Sequence, residues 1–62
     1  MFMYDKLPGD PIMLLSFVNT QLRDHYKSFD AFADAFAADA DEIAAKLSAI
    51  GYTYDAETNR FV

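Results

Sequence analysis

The spacing of apolar residues changes along the chain, and each change marks a new element. From Pro11 onward Leu14, Leu15, Val18, Leu22 and Tyr26 gather on one face of a 3.6-residue wheel, which predicts an amphipathic helix over 11–26. Asp10 supplies a carboxylate for the free amides of its first turn, and Pro11 lacks an amide that would have no helical partner there. Ser28 is a second cap, opening a shorter helix over 29–37 with Phe29, Phe32, Ala33 and Phe36 turned inward. Asp39 opens a third, over 40–50, and Glu42 three residues on completes a capping-box pattern. Acids in that first turn also suit the positive end of the helix dipole. Ile43, Leu47 and Ile50 form its buried stripe, and Gly51 ends it, because glycine readily takes the left-handed conformation of a helix C-terminus. After Gly51 the period falls to two. Tyr52-Thr53-Tyr54 and Arg60-Phe61-Val62 flank a polar turn, which predicts a hairpin over 52–62. A four-residue loop from Ala56 to Asn59 sets Tyr54 opposite Phe61. An isolated hairpin is marginal in water, so this one must lie against the helices. The apolar Met1 to Tyr4 is a candidate third edge strand. The predicted fold class is mainly α: three helices followed by a C-terminal β-hairpin in a single small domain over 1–62.

That order resembles a minimal winged helix-turn-helix. Ala33 is the small residue that lets a following helix cross closely, Ile43 and Leu47 anchor that helix, and the hairpin takes the place of the wing. The glycine usual in the turn is replaced by Ala37-Ala38. Fold alone does not assign function. A DNA-reading helix projects Arg, Lys, Asn or Gln toward base edges. Here the outward residues are Asp41, Ala45, Ser48 and Ala49, with Asp39 and Glu42 at the leading end and Lys46 the one base. Ten acids against five bases give a formal net charge of −5, which opposes binding to phosphates. A nucleic-acid-binding regulator is therefore the second reading, behind a noncatalytic protein-interaction or self-association module.

The residues for catalysis are missing. With no cysteine in 62 residues there is neither a thiol nucleophile nor a disulfide staple, which points to a cytoplasmic location. Asp5, Lys6 and Pro8 interrupt any apolar leader, and the longest apolar run, Ile12 to Leu15, is far too short to span a membrane. His25, the one histidine, falls near the apolar face of the first helix, where a packed or boundary role explains it. Ser28 is accounted for by capping. Asp39, Asp41 and Glu42 start a helix rather than circle a glycine-bearing calcium loop, and Gly9 and Gly51 cannot make a phosphate loop. No enzyme activity, cofactor or metal site is expected. From Ser28 to Glu42 there are five acids and no base, which reads as a solvated face or as a surface for a basic protein partner.

One anomaly remains in the first helix. Met13 and Phe17 lie one turn apart among Thr20, Asp24 and Lys27, on the nominally wet side. Methionine and aromatic residues suit interface cores, so this pair is the candidate interface, with a two-fold homodimer as the expected form. The competing expectation is that Phe2-Met3-Tyr4 or the hairpin covers the pair within one chain.

The run Leu7-Pro8-Gly9-Asp10-Pro11-Ile12-Met13-Leu14-Leu15-Ser16-Phe17-Val18-Asn19-Thr20-Gln21-Leu22-Arg23-Asp24 resembles the opening of a family of very small bacterial proteins, domain of unknown function 4250. The ending, Leu47 to Asp55 and Asn59 to Val62, is similar to that family's ending, whereas Ile12 and the Ala-rich middle from Ala31 to Ala45 are less typical. The resemblance implies a bacterial cytoplasmic protein and brings no activity and no functional residues with it.

Overall fold

Each of the three helices begins on the cap its sequence provides. In the computed structural model, which describes residues 7–62, α1 runs over Pro11–Asp24, α2 over Phe29–Ala35 and α3 over Ala40–Ser48. Asp10 Oδ2 accepts from the Met13 amide at 3.0 Å, and Ser28 Oγ accepts from the Ala31 amide at 3.1 Å. Asp39 Oδ1 accepts from the amides of Asp41 and Glu42 at 3.0 and 3.4 Å. Only the Asp39 half of the expected capping box forms among the described residues. All three helices stop short of their expected ends. The extra residues belong to closing turns: the amides of His25 and Tyr26 both donate to the Gln21 carbonyl.

The α2 and α3 helices end in the same way on different residues. The Ala38 amide donates to the Ala33 carbonyl at 2.9 Å and the Ala37 amide to that of Asp34 at 3.1 Å. After α3, the Tyr52 amide reaches the Leu47 carbonyl and the Gly51 amide that of Ser48, both at 2.9 Å. Both are Schellman motifs, whose penultimate residue must be left-handed. Gly51 fills that place at φ 91, and Ala37 fills it at φ 52. The turn thus takes the glycine conformation without the glycine. A left-handed L-residue costs about 1–2 kcal/mol, so Ala37→Gly is expected to raise stability by about 1 kcal/mol in urea melts. Gly51→Ala is expected to lower it by about 1–2 kcal/mol, although nothing lies within 4 Å of the added methyl.

Two short strands follow, β1 over Tyr54–Asp55 and β2 over Arg60–Phe61, antiparallel with Tyr54 opposite Phe61 as the loop length predicts. Thr53 and Val62 extend the ladder by exchanging both amide–carbonyl bonds, at 3.0 and 2.9 Å. The expected strand at Met1 to Tyr4 lies outside the described residues. The order of three helices and a hairpin is that of the predicted fold class.

The core is the meeting place of all these elements: Leu14, Val18 and Leu22 from α1, Phe29, Phe32 and Phe36 from α2 and its cap, Ile43 and Leu47 from α3, and Phe61 from β2. Seven residues of α2 cannot hold a helix on their own. Aromatic packing holds it instead. The Phe32 and Phe36 rings lie 4.7 Å apart, and Phe29 meets Phe61 edge to face at 4.9 Å, which joins α2 to the hairpin.

Candidate interaction surface

The structure divides the Met13 and Phe17 pair. Met13 is 62% exposed, with Ile12 beside it at 59%. Phe17 is half-buried, its ring edge-on to Phe36 at 5.6 Å and to Phe32 at 6.3 Å. The expectation that both residues lie on a wet face therefore needs correction for Phe17. Three residues after Leu14 it stands about 60° round the helix from it, on the flank that α2 covers. The buried arc of α1 is broad because α2 lies on one flank and the hairpin on the other. His25 also needs correction. It sits just past the last residue of α1, exposed, with its ring 6.3 Å from that of Tyr26 rather than near the core face.

The hairpin is fastened to α1 by side-chain amides that the hydrophobic pattern does not reveal. Asn19 Nδ2 donates to the Phe61 carbonyl at 3.1 Å, and its Oδ1 accepts from the Phe61 amide at 2.8 Å. Asn19 thus occupies the outer edge of β2 as a neighbouring strand would, and closes that edge to another chain. Asn59 Nδ2 donates to the carbonyls of Leu22 and Tyr26 at 3.2 and 3.0 Å, satisfying groups left open at the end of α1. Its Oδ1 accepts from the Tyr54 hydroxyl at 2.7 Å, and that oxygen in turn accepts from the Phe29 amide at 3.3 Å. One signal in the sequence was available for Asn19: asparagine is a poor residue for a helix interior, so its presence there calls for a partner.

Along this seam runs an open groove of about 610 Å³. Ser16, Thr20 and Arg23 of α1 form one wall and Thr58 and Arg60 of the hairpin the other, with Asn19 and Asn59 between them. Arg23 is engaged by its sequence neighbour, Nε and Nη2 donating to the two carboxylate oxygens of Asp24 at 2.9 and 3.1 Å. Those bonds hold the Asp24 carboxyl below its ordinary range and the guanidinium above its own. Both groups are exposed, so the pair contributes little to stability.

Elsewhere the acids stay apart from any ion-binding arrangement: among the described residues no three His, Cys, Asp or Glu side chains converge. No helix among them is long and apolar enough to cross a membrane. The molecule is defined by its fold as a small helical domain with a hairpin clamped along its first helix. The model of the domain-of-unknown-function family DUF4250 matches residues 8–61, and the chain belongs to that family. No curated protein and no solved structure matches it.

Proposed function

We propose that this protein is a noncatalytic protein-interaction module that self-associates through the leading turn of α1. The observation that carries the reading is the adjacent exposure of Ile12 and Met13, at 59% and 62%, on a helix whose inner face is already fully occupied. Neither residue contributes to the core, and each would remove apolar area from water on meeting a partner. A domain this small gains more than a large one from such added burial. Phe17 supports the surface from below and is not part of the contact.

The acidic start of α3 disfavours a nucleic-acid partner. Asp39, Asp41 and Glu42 are all exposed at the start of α3, where a groove-reading helix would meet phosphates.

Sedimentation equilibrium tests the proposal. The wild type is expected to exceed its 7.0 kDa monomer mass at high micromolar concentration. The double variant Ile12→Lys/Met13→Lys is expected to remain monomeric, and to keep the wild-type urea midpoint at low concentration, where the wild type is itself monomeric, since neither side chain is in the core. Phe17→Glu is unsuitable as a probe because it would place a carboxylate against Phe32 and Phe36. A wild type that stays monomeric throughout would overturn the self-association reading.

A further inference from the structure

The chain has only two arginines, Arg23 and Arg60, and both line the groove between α1 and the hairpin. Arg23 is already paired with Asp24, so Arg60 carries the unpaired positive charge of the groove. Arg60 has an acid as its cross-strand partner, Asp55, yet does not pair with it. The Asp55 carboxylate is turned into its own loop, with Oδ1 accepting from the Glu57 amide and Oδ2 from the Thr58 hydroxyl, both at 3.0 Å. Arg60 is left exposed, with no acceptor for its five donors among the described residues. The hydroxyls of Ser16 and Thr20 opposite it likewise have no partner among those residues. Two residues on from Arg60, and so on the same side of the strand, Val62 remains 49% exposed.

From this arrangement we infer that the groove between α1 and the hairpin docks an acidic segment of a partner protein, carrying an apolar residue beside its carboxylates. The inference rests on reading the chain as an interaction module, but it uses a surface distinct from Ile12 and Met13. Arg60 presents a planar fork that takes a carboxylate through two parallel bonds, and the hydroxyls across the groove add donors. Val62, outside the groove's lining but on the same side of the strand as Arg60, supplies an exposed apolar contact beside it. The occupant does not extend the sheet at β2, because Asn19 already holds the amide and carbonyl of Phe61; recognition is by side chains. The overall negative charge does not prevent the contact at physiological salt, where repulsion is screened beyond about 8 Å while a direct guanidinium–carboxylate bond is not.

The test is an NMR titration of the ¹⁵N-labelled full chain with the N-acetylated, C-amidated peptide Leu-Ala-Glu-Glu. Amide shifts are expected to concentrate in residues 16–23 and 58–62, to weaken as salt is raised, and to be absent with Leu-Ala-Lys-Lys. Arg60→Gln is expected to reduce affinity at least fivefold. Lys46→Gln, which makes the same change in net charge on α3, is expected to leave it unaltered. The inference is overturned by equal losses in the two variants, by equal shifts from the lysine peptide or from inorganic phosphate, or by no saturable shift at millimolar peptide. Self-association is read separately by sedimentation of the Ile12 and Met13 variant, so either result stands without the other.

Discussion

Replacing Leu47 by alanine is expected to cost about 2–5 kcal/mol, enough to leave much of the protein unfolded at room temperature. Leu47 is fully buried on the inner stripe of α3, in the same apolar cluster as Leu14, Val18 and Phe32. Truncation removes the transfer free energy of three carbons and leaves a cavity that three converging helices and the hairpin cannot all close at once. The total stability of so small a domain sits near the lower end of the usual range, about 5 kcal/mol, so one such loss consumes most of it. Leu47→Met keeps the volume and is expected to cost under about 1.5 kcal/mol. Urea unfolding followed by circular dichroism measures both. An alanine variant within about 1 kcal/mol of the wild type would mean that α3 is not anchored where the structure puts it.

Leu47 was recognisable as core from the chain alone, as were the three caps, for the same reason. Asp10, Ser28 and Asp39 act within three residues of themselves, so their chemistry is complete in a short stretch of sequence. The Tyr54–Phe61 register was likewise fixed by the length of one loop. What escaped depends on which element lies beside which. Phe17 reads as exposed until α2 is known to pack on that flank of α1. The turn at Ala37 could be marked as lacking its glycine, but not as adopting the glycine conformation, because the packing of Phe32 and Phe36 against Phe17 and Tyr26 favours the turn against the local preference. The candidate surface divides in the same way. Met13 is exposed as the wheel suggests, whereas the arginine-lined groove joins residues some forty positions apart and has no local signature.

Asn59 is the residue whose loss separates these two kinds of information most clearly. It serves locally, as a left-handed turn residue at φ 56 that accepts from the Tyr54 hydroxyl within the hairpin, and at long range, through the two bonds that tie the hairpin to the end of α1. Asn59→Gly retains the backbone conformation without strain and deletes only the bonds. The Leu22 and Tyr26 carbonyls and the Tyr54 hydroxyl then lose a partner in a half-buried seam, at an expected cost of about 2–3 kcal/mol. Asn59→Ala deletes the same bonds and adds about 1–2 kcal/mol for a left-handed alanine, bringing it close to the loss expected for Leu47→Ala. Asn59→Asp keeps the acceptor for Tyr54 but points an oxygen at the Leu22 and Tyr26 carbonyls, so at neutral pH it is expected to be no better than glycine. The three urea midpoints should therefore fall in the order wild type, glycine, alanine. Hydrogen exchange in the hairpin should accelerate in the glycine variant before that of α3, because the clamp holds β2 to α1 and touches α3 nowhere. A glycine variant as stable as the wild type would show that hydrophobic contact through Phe61 alone holds the hairpin in place.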